Sequence, residues 1–91
     1  MGLKFEWDKH KAASNLKKHE VSFEDAATAF GDPLSLTIYD PDHSDEEDRF
    51  LLVGVTAKGK IAVVVHTHRG DTIRIINARP ATSGERKSYE S

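Results

Sequence analysis

The chain reads IAVVVHTHRGDTIRIINAR from Ile61 to Arg79, and this stretch decides the fold. It contains two runs rich in β-branched residues, 61–68 and 72–79, separated by the turn residues Arg69-Gly70-Asp71. Such runs on either side of a glycine-containing turn are typical of a β-hairpin. Because a parallel pair needs a much longer connection, the two strands are predicted to be antiparallel neighbours.

The segments before this hairpin extend the same sheet. Residues 50–56 predict a further strand, and residues 34–39 alternate between apolar and polar side chains, as a half-buried strand does. Between them lies an acidic stretch, residues 40–48 (DPDHSDEED), which predicts a solvated loop. A short edge strand is expected at residues 4–7.

A first helix is predicted from Asp8, a suitable N-cap, to about His19. Neither glycine nor proline interrupts this segment. Trp7, just before it, is expected to pack into the core rather than to stack on a base. The helix is expected to bury an apolar stripe made of Ala12, Ala13 and Leu16.

A second helix begins at Ser22, because Ser22 followed by Asp25 resembles a capping box. Apolar residues then recur at helical spacing and predict one buried face. That face consists of Phe23, Ala26, Ala27 and Phe30. Gly31 is expected to end the helix in the left-handed conformation, and Asp32-Pro33 to turn the chain away.

The C-terminal residues predict one more short helix, capped by Thr82 and Glu85 and running through Tyr89. The predicted fold class is therefore α+β. Two N-terminal helices pack on an antiparallel sheet of about four strands, which is joined by a short N-terminal strand and followed by the short C-terminal helix. With 91 residues, the chain is expected to form a single domain, 1–91.

The composition indicates a globular protein, with 37% hydrophobic and 31% charged residues. The absence of cysteine excludes disulfides and a thiol nucleophile and fits a cytoplasmic location. No apolar run is long enough for a membrane span, so no membrane partner is expected. Residues 1–48 carry 5 basic and 12 acidic residues, a net charge of −7, whereas residues 49–91 carry 8 and 3, a net charge of +5. The basic half can attract phosphate groups.

Several motifs, taken in order, resemble the BrnT family of ribonuclease toxins, and the similarity covers nearly the whole chain. These motifs are Trp7-Asp8 with Lys11, Asn15 and Lys18-His19, the segment 23–26, Ala78-Arg79 and Glu85-Arg86. The chain departs from the family pattern near its C-terminus. Pro80, Ser83 and Gly84 stand where basic residues are frequent, and Asn77 replaces a more usual serine. Fewer basic residues imply weaker RNA binding and weaker toxicity.

The resemblance implies a RelE-like fold and a ribonuclease that needs no metal and no other cofactor. It also implies that the toxin is neutralised by a BrnA-like antitoxin with a ribbon-helix-helix DNA-binding domain. The toxin would then reach operator DNA only indirectly, through an antitoxin complex that represses its own operon. A heterotetramer of toxin and antitoxin is the expected assembly.

Metal-free RNA cleavage uses the neighbouring 2′-hydroxyl as nucleophile, and needs proton transfer and a cation beside the phosphate. Arginine suits the phosphate, and histidine or a carboxylate suits proton transfer. The predicted catalytic residues are Arg74, Arg79, Arg86, His66, His68 and Glu85. The residues expected to bind RNA are Lys11 and Lys18, which share one helical face, with Arg49 and Tyr89.

Several of these residues have a second interpretation that the sequence leaves open. Arg74 binds phosphate or forms a salt bridge with an acid such as Asp71 or Glu85. A three-residue hairpin loop places Arg74 opposite His66, whereas a two-residue loop places it opposite Thr67, on the other face of the sheet. Glu85 is a helix cap as well as a candidate base, and the Tyr89 ring could equally dock the last helix. Two histidines without a third ligand are weak evidence for a metal site, and none is predicted.

Two functions from different classes remain. The first is an endoribonuclease that arrests growth. The alternative is a catalytically weak module that binds the antitoxin and acts in operon autorepression. Direct DNA binding is not favoured, because no recognition helix is apparent and the N-terminal half is acidic.

Overall fold

The computed structural model describes residues 3–43 and 47–91, so that residues 44–46 of the acidic stretch lie outside the described part. Its strands are Lys4–Glu6 (β1), Leu36–Tyr39 (β2), Phe50–Val55 (β3), Ile61–Arg69 (β4) and Thr72–Pro80 (β5). Its helices are Lys9–His19 (α1), Phe23–Thr28 (α2) and Ser83–Glu90 (α3), with 3-10 turns at Ala29–Gly31 and Pro41–His43. The predicted α+β class is confirmed. In the described ranges, no helix has the length and apolar composition needed to cross a membrane.

The five strands form one sheet in the order β1-β5-β4-β3-β2. Strands β2 to β5 are antiparallel neighbours, as their short connections predict. β1 pairs with β5 in the parallel direction, so the sheet is mixed. No short turn joins β1 to β5, and the sequence therefore could not fix this direction.

The hairpin of β4 and β5 closes through a two-residue loop, because Arg69 pairs with Thr72. Gly70 adopts a φ of 63°, the left-handed conformation that favours glycine at the first position of such a loop. A bulge follows in the ladder: His66 pairs with Ile75 and Val65 pairs with Asn77. Ile76 is the extra residue of β5, and such a bulge bends the strand that contains it.

The core lies between α2 and one face of the sheet. Its buried members are Val21, Phe23, Ala26 and Ala29 on the helical side and Leu52, Val64, Ile75 and Ala78 on the sheet. The predicted buried face of the second helix is present, with Ala27 and Phe30 partly buried against this cluster. Trp7 also packs there, with its ring centroid 5.9 Å from that of Phe23 in an edge-to-face arrangement.

The predicted apolar stripe of α1 is wrong in part. Ala12 packs against the core, but Ala13 is exposed and Leu16 is 49% exposed. The buried residue of α1 is Asn15, which is only 5% exposed. α1 packs on β5, and β1 covers β5 only from Thr72 to Arg74, so the rest of this edge has unpaired backbone groups. The Asn15 side chain satisfies both backbone groups of Ala78 on this edge, which a leucine side chain could not do.

The end of the second helix also differs from the prediction. Gly31 does not adopt a left-handed conformation; instead the helix tightens into the 3-10 turn, and the backbone N–H of Asp32 donates to the carbonyl of Ala29 at 3.1 Å. Asp32 is extended because it precedes Pro33, which disfavours helical backbone in the residue before it. The left-handed C-cap belongs to α1, where Glu20 has a φ of 59°.

β2 is exposed rather than half-buried, so this prediction is wrong. All four of its residues are exposed, and the Ile38 side chain is 57% exposed. β2 is the outer strand, paired with β3 only, while α1 and α2 pack on β5 near the other side of the sheet. The alternating pattern identified a strand, but it could not show that this strand lies at an uncovered edge.

Candidate active site

A cleft of about 300 Å³ opens on the face of the sheet that points away from α2. Strand pairing sets Leu51, Val65 and Asn77 side by side on this face, since the residues adjacent to them in each strand face the core. The cleft is lined by Asp40, Arg49, Leu51, Val65, Ile76, Asn77 and Arg79, and we call it the arginine cleft. It brings together Arg49 and Arg79, both predicted to contact RNA.

Arg79, which lines this cleft, forms a bidentate ion pair with Glu85. Nη1 of Arg79 donates to Oε1 of Glu85 at 2.7 Å, and Nη2 donates to Oε2 at 2.9 Å. Hydrogen bonding and charge from Arg79 lower the pKa of Glu85 to about 2, and the carboxylate in turn raises the pKa of Arg79. Both side chains are about one-third exposed, so an incoming anion can reach the pair.

The start of α3 positions Glu85. The Thr82 hydroxyl accepts the Glu85 N–H at 3.2 Å, and Oε1 of Glu85 accepts the Thr82 N–H at 2.8 Å. This is the predicted capping box, which fixes the carboxylate one turn into the helix. Because β5 ends only a few residues earlier, the same carboxylate is within reach of the Arg79 fork.

Arg74 is paired elsewhere, and its partner differs from the two predicted acids. Nη1 of Arg74 donates to Oε2 of Glu6 at 2.8 Å, because the parallel register of β1 places Glu6 beside Arg74. The two-residue loop sets Arg74 opposite Thr67 and not opposite His66. The structure thereby selects between the two registers that the sequence left open.

His66 lies in the core, where it is 2% exposed. Its ring packs against Phe30 at a centroid distance of 4.8 Å and stacks on Phe50 at 5.9 Å. Nδ1 of His66 lies 3.1 Å from the carbonyl oxygen of Val64, an acceptor, so this nitrogen carries the proton. Burial lowers the pKa of His66, and the ring has no access to a substrate on the surface.

Lowering the pH is expected to destabilise the protein through His66. In the unfolded chain, this ring takes up a proton as the pH falls through its ordinary pKa of 6.5, whereas burial opposes protonation in the folded protein. Stability from this residue is complete above that pKa and decreases as the pH falls toward the lowered value. We expect His66→Phe, measured by urea unfolding between pH 7.5 and 5.5, to lose part of the acid sensitivity.

His10→Gln, a change on the exposed surface of α1, is the control for this measurement and should retain the wild-type pH profile. An unchanged profile in His66→Phe would contradict the assignment of the acid sensitivity to the buried ring.

His68 is exposed, but it lies on the face of the sheet that includes His66 and not on that of the arginine cleft. Its ring contacts Phe50 at 5.4 Å and His66 at 5.6 Å, both edge-to-face. The structure therefore places the two histidines together and separates them from Arg79. Among the described residues, no group of three or more histidine, cysteine, aspartate or glutamate side chains is arranged to hold a metal ion.

Two further candidates on α3 lie outside the arginine cleft. Arg86 lines a separate cleft of about 500 Å³ together with Lys60 and Pro80. The Tyr89 hydroxyl donates to the carboxylate of Asp32, and this hydrogen bond lowers the pKa of Asp32 and raises that of Tyr89. Tyr89 thus anchors the last turn of α3 to the connection between the second helix and β2.

The two predicted lysines lie in a groove between α1 and the free edge of β5, which we call the α1 groove. Its volume is about 400 Å³. It is lined by His10, Lys11, Ser14, Asn15, Lys18, His19, Ile76 and Asn77. The predicted placement of Lys11 and Lys18 on one helical face agrees with this arrangement.

Neither Asp40 nor Asn77 is among the predicted site residues, although both line the arginine cleft. The backbone N–H of Asp40 donates to the carbonyl of Arg49 at 2.9 Å, which extends the pairing of β2 and β3 by one step. Asn77 differs from the family pattern, and that difference was the available signal. The sequence contains no comparable signal for Asp40, because this residue is one of several acids in the acidic stretch 40–48.

The chain is similar to known proteins in both sequence and structure. A family model described as "Ribonuclease toxin, BrnT, of type II toxin-antitoxin system" matches residues 7–85. The chain is similar in structure to the Brucella abortus ribonuclease toxin BrnT, with a TM-score of 0.65 and 21% sequence identity, over 90% of this chain and 100% of that one. Comparison with curated protein sequences gives no match. Since the family model spans most of its 91 residues, this chain belongs to the BrnT family of ribonuclease toxins of type II toxin–antitoxin systems.

Proposed function

We propose that this chain is a metal-independent endoribonuclease that cuts RNA in the arginine cleft. The observation that carries the proposal is the position of Arg79, which lines one open cleft together with Arg49 and whose fork already holds two anionic oxygens. A guanidinium binds carboxylate and phosphate with the same bidentate geometry. The Glu85 oxygens therefore mark where two phosphate oxygens would bind.

Binding of RNA in this cleft is an exchange of anions. The scissile phosphate takes the place of the carboxylate on Arg79, and Glu85 is released. Once the guanidinium is engaged by phosphate, the largest cause of the low pKa of Glu85 is removed, although the Thr82 hydrogen bonds remain, and the carboxylate becomes a better proton acceptor. A base whose pKa is closer to the working pH is more effective in catalysis.

Cleavage then follows from the 2′-hydroxyl next to the scissile phosphate. Its oxygen forms a bond to phosphorus, Glu85 accepts its proton, and the bond from phosphorus to the 5′-oxygen breaks. The leaving oxygen takes a proton from solvent water, and Glu85 later returns its proton to solvent. The products are a 2′,3′-cyclic phosphate and a 5′-hydroxyl. Arg79 and Arg49 supply the positive charge that stabilises the negative charge developing on the phosphate oxygens.

Glu85→Gln is expected to strengthen RNA binding and to slow RNA cleavage. Glutamine preserves the capping box, since its side-chain oxygen can still accept the Thr82 N–H. It no longer neutralises Arg79, so a non-cleavable RNA with a 2′-deoxy substitution at the scissile position should bind more tightly. Because glutamine accepts no proton, kcat should fall about 100-fold or more. A variant with wild-type kcat would remove Glu85 from the role of base.

The proposed activity is tested directly with purified protein free of antitoxin. We expect single-stranded RNA to be cut in the presence of EDTA, leaving cyclic phosphate ends. Loss of cleavage in EDTA would reject the metal-independent mechanism. Intact RNA at high protein concentration, with or without EDTA, would reject the nuclease itself.

A specific observation also supports a second function, a binding module with weak or no catalysis. Arg79 and Arg74 are each neutralised by a carboxylate of the same chain, and His66 is buried. The cluster of cations and histidines that the sequence predicted does not converge in one site. If RNA survives the assay above while the antitoxin still binds, this second function is the correct one.

Membership of a type II toxin family implies an antitoxin partner. We propose that this partner is a BrnA-like ribbon-helix-helix protein, that the two form a heterotetramer in the cytoplasm, and that operator DNA contacts the antitoxin and not this chain. We also propose that the fold is RelE-like. The motif resemblance supports these proposals, and a short adjacent reading frame encoding a ribbon-helix-helix protein is the first test.

A further inference from the structure

We infer that the α1 groove binds the backbone of single-stranded RNA beside the scissile bond and leads the strand across the edge of β5 into the arginine cleft. This inference rests on the proposed function, because it concerns the path of the substrate outside the reacting phosphate. The α1 groove and the arginine cleft share a boundary.

The boundary consists of Ile76 and Asn77, which line both the α1 groove and the arginine cleft. β1 covers only the first part of β5, from Thr72 to Arg74, and no other strand within residues 3–43 and 47–91 covers the edge beyond it. The bulge at Ile76 lies at this same place. A chain lying in the groove therefore continues over the edge into the cleft without passing through another element.

The charge of the α1 groove suits a polyanion. Lysine and histidine contribute four of its eight lining residues, and no acidic side chain lines it. Lys11 and Lys18 are exposed, and among the ion pairs between described residues neither lysine takes part. In contrast to Arg74 and Arg79, neither lysine is held in a salt bridge within the described ranges, and the charge of Lys11 acts on Asp8 only by helping to lower its pKa.

The spacing of the lysines indicates an extended ligand. Lys18 lies seven positions after Lys11 in the helix, which corresponds to about 10 Å along the helix axis. The two ammonium groups therefore serve different phosphates of one strand rather than a single phosphate group. The contacts would be to the backbone, which gives affinity without base specificity.

The free edge is unsuited to a protein strand, which is the main rival occupant. A strand that adds to a sheet edge needs the backbone N–H and C=O groups of that edge. Asn15 already occupies both groups of Ala78: its Oδ1 accepts the N–H at 3.1 Å, and its Nδ2 donates to the C=O at 2.8 Å. A ligand recognised by charge needs neither group.

The test compares a long and a minimal substrate in the double variant Lys11→Gln, Lys18→Gln. A 20-nucleotide single-stranded RNA reaches the groove, whereas a dinucleotide occupies only the arginine cleft. We expect KM for the 20-mer to rise about tenfold and the slope of log affinity against log salt to decrease by about 1.4, or 0.7 for each lost phosphate contact. Cleavage of the dinucleotide should be unchanged.

The matched control is Lys58→Gln, Lys87→Gln, which removes the same charge from two exposed lysines outside the groove. It should leave both substrates unaffected. Equal effects of the control and groove variants would overturn the inference, as would a groove variant that binds RNA normally but no longer binds the antitoxin.

Fluorescence anisotropy with a labelled 20-mer separates the two proposals. If the wild-type protein binds this RNA through the lysines but cuts neither substrate, the proposed nuclease fails and the groove stands. If the wild-type protein cuts both substrates and the groove variant binds the 20-mer as tightly as wild type, the groove fails and the nuclease stands.

Discussion

Arg79→Ala is expected to reduce RNA cleavage by about 100- to 1,000-fold, the usual cost of removing one group that stabilises charge in the transition state. Growth arrest on expression of the variant should be relieved. Two effects add here, since the variant loses the phosphate contact and leaves the Glu85 carboxylate without its counter-charge, so that it repels the incoming phosphate. The readout is the cleavage rate of a labelled oligonucleotide, together with growth after induction.

The fold should tolerate this change, so lost activity can be assigned to the site. The ion pair is about one-third exposed, and pairs of this kind contribute less than about 1 kcal/mol to stability. Binding of the antitoxin should remain largely intact. Arg79→Lys is the control, because it keeps the charge but not the planar fork, and partial activity is expected. Wild-type toxicity in Arg79→Ala would show that Arg79 lies outside the site.

The sequence predicted the features that depend on local spacing. The two predicted helix starts are examples: Ser22 accepts the N–H of Asp25 at 2.9 Å as an N-cap, and Thr82 and Glu85 bond reciprocally in a full capping box. Each involves residues three positions apart, where backbone geometry alone brings the groups together. Strand periodicity likewise located β4 and β5 to within a residue or two of their observed ends.

The sequence did not predict the contacts that depend on how distant elements align. Arg74 pairs with Glu6 only because β1 is parallel to β5 and in one particular register. The bulge at Ile76 sets which side chains of β5 face the arginine cleft, and no local signal distinguishes it from regular strand. Candidate residues could therefore be chosen by chemistry, but their grouping into sites required the structure.

Asn15→Ala is expected to lower the free energy of unfolding by about 3 to 5 kcal/mol, because each buried polar group left without a partner costs about 1 to 3 kcal/mol. Asn15 makes four hydrogen bonds: two with the backbone of Ala78, one to the carbonyl of Val21 at 3.0 Å, and one from the side chain of Asn77 at 3.0 Å. Tm should fall by about 15 °C or more, since about 1 kcal/mol corresponds to 4–8 °C in a domain of this size. Thermal unfolding followed by circular dichroism measures both changes.

Two further variants separate hydrogen bonding from packing at this position. Asn15→Leu fills a similar volume but supplies no polar atom, and it should destabilise the protein about as much as alanine does. Asn77→Ala removes only one of the four bonds, at a half-buried position, and should cost about 1 kcal/mol. A leucine variant as stable as wild type would mean that water satisfies the edge of β5, and that this helix is held by apolar contacts instead. With the predicted ranking, a single asparagine both satisfies the backbone of Ala78 at the β5 edge and keeps α1 packed on β5.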